Sequence, residues 1–377
     1  MNALKRARVD REWSQSRLIA AMETEARRMR MPIASRASLK TQLSRWENGH
    51  RTPDALYQRL FECVYGMTAS QLGFESDDTI GLAVGATWEQ CVSSTVELWS
   101  EDMERRTFLQ SAAYAATAFT TPVLTALISD PAEGVTRSGG KRAVSVGDIA
   151  VIRDLSTRLK QLDNRHGGGH VRRLALAVLD GEVAPLLRSG SFTDKVGREL
   201  LSTAAEVTQL VGWISHDMGS HGVAQRYLIQ ALGLARSAGD SALIAELLCA
   251  MSQQSTYLRD SQAADLARAA RTVADRHGHV ALVAESRLME AHAHARAGSP
   301  AACASALHEA EIALDKADRS DEPQWISYFD EAYVSAKFGH CLREVGDHKN
   351  AIQYAKRSLQ MDRSYVRGQA FNLTLLA

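Results

Sequence analysis

A chain of 377 residues is too long for one compact core and predicts two or three domains. It holds only 7 prolines, and Ala, Leu and Arg recur throughout, which favours helix over strand. The formal charge of zero excludes a histone-like basic coat, yet residues 1–59 carry 13 Lys and Arg against 6 Asp and Glu, so a polyanionic partner is expected for that end alone.

From the N-terminus, "LKRARVDREWSQSRLIAAM" (4–22) reads as a helix, a break at Trp13-Ser14 and a second helix opening at Ser14-Gln15. "METEARRMRMPIASRAS" (22–38) follows, with Arg27, Arg28, Arg30 and Arg36; it either lengthens the second helix or forms a loop. In "SLKTQLSRWENG" (38–49), Leu39, Leu43 and Trp46 fall at i, i+4 and i+7 and share one buried helix face. Ser38 is the expected N-cap and Gly49 the stop, with Pro53 beyond. The opposite face offers Lys40, Thr41, Ser44 and Arg45, whose donors suit guanine edges or phosphate oxygens. Taken alone, the same pattern also fits a solvated amphipathic helix. These stretches form an expected helical domain over 1–75.

Residues 76–128 predict connecting helices, including "ATWEQCVSSTVELW" and the Ala-rich stretch after Arg106. "ERRTFLQSAAYAATAFTTPVLTALIS" (104–129) has the look of a twin-arginine signal, but it lies far inside the chain, and Ala, Ser, Thr and Pro122 make it a poor membrane span. A buried helix is expected there, and no membrane partner. Residues 129–148 carry Pro, Gly and Ser without helical period and read as a flexible linker.

From residue 149 to 377 helix follows helix, and the stretch repeats. A small residue on a first helix (Gly212, Ala291, Gly339) is followed seven later by a turn glycine (Gly219, Gly298, Gly346). Small or apolar residues then come on a second helix: Ala224, Leu228 and Ala231; Cys303, Leu307 and Ala310; Ala351, Ala355 and Ser358. A fainter copy, one residue shorter in its turn, runs through Ser252, Ala263, Ala267 and Ala270. Small residues at this spacing let two antiparallel helices approach closely and leave a face that the next pair must cover. The steps of 40, 39 and 48 residues exceed the usual tetratricopeptide length, and 318–330 read as an insertion in the longest. Trp213, Asp217, Gln253, Tyr257, His294 and Tyr333, on the first helices, are the candidate lining of an effector groove.

Several signals predict no chemistry. "HGGGH" spaces His166 and His170 by four, but three intervening glycines point to a turn, and no third metal ligand is near. "GVTRSGGKR" lacks the spacing and the preceding strand of a phosphate loop. Cys63, Cys91, Cys249, Cys303 and Cys341 are odd in number with no C-x-x-C pair, as for free thiols in a reducing cytoplasm. "MNALKRARVDREW" holds no apolar export segment, so a cytoplasmic location is expected. No Ser/His/Asp or Cys/His set has local support, and no enzyme activity, cofactor or metal is expected.

The segment from Gln15 to Gly49 resembles the helix-turn-helix of phage-repressor type (XRE/Cro-like), in which S-Q-x-x-L opens the second helix and a pattern like "LSRWENG" closes the recognition helix. The resemblance implies that Gln15 contacts a phosphate, that Lys40, Thr41 and Ser44 face bases, and that Arg45, Asn48 and Arg51 lie near the backbone. It also implies that Leu18, Leu43 and Trp46 are core and that Glu47 is structural. The family places about 20 residues between that Gln and the closing Gly; here the two are 34 apart, and Arg36 in the added segment becomes a further phosphate contact. "TPDALYQRLFECVYGMTASQLGF", "RHGGGHVRRLALAVLDGEVAPLL" and "LLSTAAEVTQLVGWISHDMG" resemble actinobacterial regulators that join such a helix-turn-helix to tetratricopeptide-like repeats. The resemblance implies an all-α transcriptional regulator in a group tied to development and secondary metabolism. Binding of double-stranded DNA by a homodimer is expected for this helix-turn-helix type, and a peptide, protein or small-molecule effector is expected in the repeat groove by analogy with peptide-sensing regulators that join the same two modules. The competing reading is a protein-interaction scaffold without a specific operator.

Overall fold

A computed structural model describes residues 3–28, 33–48, 53, 55–65, 67, 72, 87–104, 114–128, 130–316, 323–362 and 365–376. The chain divides into two compact units, residues 1–79 with 111–113, and residues 80–110 with 114–377. Both are all-α apart from one two-residue parallel strand pairing among the described residues.

In the first unit α1 (Ala3–Val9), α2 (Gln15–Arg28), α3 (Arg36–Glu47) and α4 (Ala55–Tyr65) enclose one core. Leu4, Leu18, Ile19, Met22, Leu39, Leu43, Leu60 and Phe61 are fully or almost fully buried in it. Ser14 caps α2, its hydroxyl accepting the Arg17 amide at 3.1 Å, so the break after Trp13 falls where the sequence placed it. The segment that follows does extend the second helix, to Arg28. Correcting the expected start of the next helix, α3 opens at Arg36 with Ser35 as N-cap, three residues before Leu39, and Ser38 accepts from Gln42 inside the helix. Trp46 packs on Tyr57 and Phe61 of α4, ring centroids 4.9 and 5.7 Å apart.

The second unit begins with α5 (Trp88–Glu104) and α6 (Thr120–Ile128), followed by α7 (Val146–His166), α8 (Gly168–Val178) and α9 (Ala184–Ser189). Pro122 stands in the first turn of α6, where its missing N–H costs nothing. No described helix is long and apolar enough to cross a membrane. The expected turn at His166–His170 is a single residue: Gly167 (φ 78°) ends α7, and Gly168 and Gly169 are already helical. A Cβ on Gly168 would lie 2.5 Å from Ile214 Cγ2, so its glycine serves a close helix approach.

Four antiparallel pairs follow: α10 (Asp194–Asp217) with α11 (His221–Ala238), α12 (Ser241–Tyr257) with α13 (Ala263–His277), α14 (Val280–Arg296) with α15 (Pro300–Lys316), and α16 (Glu331–Glu344) with α17 (His348–Ser358). Every turn within a pair closes with the same two hydrogen bonds. At the first, the Gly219 amide donates to His216 O and the Ser220 amide to Ser215 O, both at 2.9 Å. Gly298 and Gly346 repeat them at left-handed φ of 72° and 86°. In the fainter copy Arg259 holds that place at φ 57°. The small residues do what their spacing requires: Ala224, Ala231, Ala267, Ala270, Ala310, Ala355 and Ser358 are fully buried between the helices of their pairs.

First helices stack on first helices, α12 on α14 and α14 on α16, while α6 lies against α11 and α13 on the other side. α5 is fixed to α11 by Thr95, whose hydroxyl donates to Gln230 Oε1 at 2.9 Å, and Tyr114 bonds to Ser255 and Asp260 at 2.9 and 2.7 Å. A short C-terminal helix, α18 (Val366–Leu373), returns to the start of this unit, where Arg367 pairs with Asp163 of α7 and Asp217 of α10.

Of residues 129–148, which read as a linker, 146–148 belong to α7 and 130–145 are bonded to the second unit at several points. Val135 is fully buried and its amide donates to Asp194 Oδ1 at 2.7 Å. Arg137 exchanges backbone bonds with Phe192, and β1 (Arg142–Ala143) pairs in parallel with β2 (Gly190–Ser191). Gly197 makes room: a Cβ there would sit 2.3 Å from Val135 O. A Gly- and Ser-rich composition rules out helix, but an extended segment still finds hydrogen-bond partners.

Candidate functional site

α3 has two faces. Leu39, Leu43, Trp46 and Glu47 are buried, while Arg36, Lys40, Thr41, Ser44, Arg45 and Asn48 are exposed. Five of these six lie on one helix within two to three turns, so their polar groups project together. Asn48, the C-cap, donates from its amide to Ser44 O at 2.8 Å and accepts from Lys5 Nζ at 3.3 Å. Arg51 lies outside the described residues.

The orientation of that helix is fixed by an ion pair. Glu47 is 2 % exposed and takes Arg8 as a fork, Nε at 2.5 Å and Nη2 at 3.0 Å. Gln15 Nε2 adds a third bond to Glu47 at 2.8 Å. Side-chain bonding to Glu47 therefore raises the Arg8 pKa above its ordinary value, and α1, α2 and α3 are locked at one carboxylate. Gln15 has one amide hydrogen in that lock and sits at the first turn of α2, where free backbone N–H groups face outward. Arg8 had no sequence signal marking it as the partner of Glu47.

On the first-helix face of the second unit, the predicted lining residues are brought to one side but mostly engage the chain itself. Asp217 is paired with Arg367, Gln253 accepts from Lys337 Nζ at 2.8 Å, and Tyr333 donates to Glu285 at 3.2 Å. His294 lies 3.7 Å from Glu290 and 3.4 Å from Arg268. Trp213 packs edge-on to His216, and Tyr257, 62 % exposed, packs against His216 and His221. The two imidazoles contact each other through Nδ1 at 3.1 Å. Burial, reinforced by His221, lowers the His216 pKa to about 4.

The deepest polar group on this face escapes sequence reading. Glu246 of α12 and Glu285 of α14 are 6 % and 2 % exposed. Tyr328, from the 318–330 insertion, bonds to both, 2.6 Å to Glu246 and 2.9 Å to Glu285, and Gln209 reaches Glu246 at 3.1 Å. Burial raises both carboxyl pKa values, with the neighbouring charge adding to the rise at Glu246. Both shifts favour the protonated form of the carboxyls that share the Tyr328 hydroxyl. Burial also lowers the pKa of Lys337 beside them. The glutamates lie within unbroken helical patterns, and nothing in sequence brings Tyr328 to them.

Among the described residues no cluster of three or more His, Cys, Asp or Glu is arranged to hold a metal. Comparison with protein-family models, with curated proteins and with solved structures finds no match.

Proposed function

We propose that the protein is a sequence-specific DNA-binding transcriptional regulator of the cytoplasm, in which α2 and α3 act as a helix-turn-helix and α3 is the recognition helix. The observation that carries this reading is the two-faced α3: an inner face pinned by Leu39, Leu43, Trp46 and the Glu47–Arg8 lock, and an outer face of Lys40, Thr41, Ser44 and Arg45. In the major groove Lys40 and the two hydroxyls donate to or accept from base edges. Arg36, Arg45, Asn48 and Arg51 neutralise or bond the backbone. Gln15 and the amides at the start of α2 take a phosphate, as helix N-termini do. Binding as a homodimer to a two-fold operator follows from this docking mode. The four helix pairs are read as tetratricopeptide-like repeats whose first-helix face receives the effector.

A genome-wide DNA pull-down with purified protein tests the reading, comparing wild type with the Lys40→Ala/Thr41→Ala double variant. The expected outcome is a short shared motif bound by wild type about 10³-fold above random DNA and lost in the variant. Equal, weak profiles for both proteins would refute it and favour a protein-interaction scaffold.

A further inference from the structure

His292 of α14 and His340 of α16 face each other on the first-helix side, ring centroids 6.1 Å apart and planes at 31°. Each has one buried ring nitrogen without a hydrogen-bond partner, Nδ1 of His292 and Nε2 of His340. His340 is 9 % exposed. A buried polar atom left unpaired is costly, and two of them on neighbouring rings of adjacent repeats call for a hydrogen-bonding partner.

The surrounding charge selects what that is. Lys337 and Arg343 on α16 act on both rings, and Arg296 on α14 acts on His292. Glu344 offsets part of this through its bonds to Arg296 and Arg343, and Glu285 faces Lys337 farther along. From α18 the uncharged ring of Phe371 packs 5.0 Å from His340. Burial first, then these cations, hold both rings neutral, His340 down to about 3. A neutral imidazole has one N–H to give, and a positive field opposes a metal cation while favouring an anion. Phe371 is itself 59 % exposed, so the place lies one side chain below solvent.

We propose that His292 and His340 form the seat of an anion, a carboxylate or phosphate group, bonded by the two imidazole N–H groups and held by the field of Lys337, Arg296 and Arg343. Assigning that anion to the effector rests on the regulator reading above; the seat itself does not. It is tested without DNA, so its failure and the failure of that reading remain distinguishable. The full chain is titrated calorimetrically with inorganic phosphate and, separately, with acetate at constant ionic strength.

One saturable equivalent for either probe is expected, with affinity reduced about tenfold or more in His340→Phe. That variant removes the donor but leaves an aromatic ring, and its thermal unfolding should match or exceed that of wild type. Phosphate alone, acetate alone, or both binding in this way supports the seat and identifies its source. Absence of saturable binding for both, or binding undiminished in folded His340→Phe and in Lys337→Met, would overturn it.

Discussion

Glu47 sets the stability of the first unit through three hydrogen bonds from two neighbours, Arg8 and Gln15. With Glu47 1 % and Arg8 12 % exposed at their side chains, removing the negative charge leaves the guanidinium buried without its counterion. Glu47→Gln is expected to cost about 3 kcal/mol in urea unfolding, and the double change Arg8→Met/Glu47→Leu to recover most of that, since breaking a buried pair costs more than replacing both members. Equal losses in the single and double variants would remove the ion pair from this role. His216 gives the second residue-scale test. Its folded pKa of about 4 lies below the ordinary 6.5, so its contribution is intact above pH 6.5 and is lost as pH falls toward 4. Between pH 7 and 5 wild type should lose about 2 kcal/mol relative to His216→Phe. The comparison with the variant is needed because Glu246 and Glu285, whose pKa values are raised, have the opposite slope and lose stability as pH rises.

At the scale of elements, how much the sequence reveals depends on whether a feature is periodic. The i, i+4, i+7 stripe of Leu39, Leu43 and Trp46 marks a buried face, and that face is buried. The start of α3 was misplaced by less than a turn because Ser35 and Ser38 are equally good caps in sequence, and neither hydroxyl caps an amide here. Small residues at fixed spacing give the helix pairs, since only close packing demands them. Residues 130–145 are legible as non-helical but not as docked, because a single Val135 in a Gly-rich run carries no period. The candidate groove residues fall on first helices by the repeat spacing, whereas the pairing of Gln253 with Lys337 and of Asp217 with Arg367 depends on segments 84 and 150 residues away. One irregularity is testable. Arg259 occupies the left-handed position that Gly219, Gly298 and Gly346 hold in the other turns, and its side chain is exposed with no buried packing to lose. Arg259→Gly should therefore stabilise the second unit by about 1 kcal/mol through relief of Cβ crowding, and Gly298→Arg should cost a similar amount. Chemical denaturation of the two variants side by side checks both signs.

For the whole molecule the consequence of two units is that each holds its own determinants of stability. The first closes on Leu18, Leu43, Trp46, Phe61 and the Glu47 lock, all contributed by residues 1–79. The second closes through its repeats and through α18, which joins the last helix pair to α7 and α10 by way of Arg367. Differential scanning calorimetry of the full chain should accordingly resolve two transitions, because units with separate cores unfold separately unless a large apolar interface couples them. Glu47→Gln should lower one of them and leave the other in place. Arg259→Gly should raise the second and leave the first. A single transition displaced by both variants would mean that the units fold as one, and a signal from the repeats would then reach α3 through shared stability. Two independent transitions would mean that, under the regulator reading proposed above, any such signal acts by changing how the α3 helices of two copies are presented to DNA.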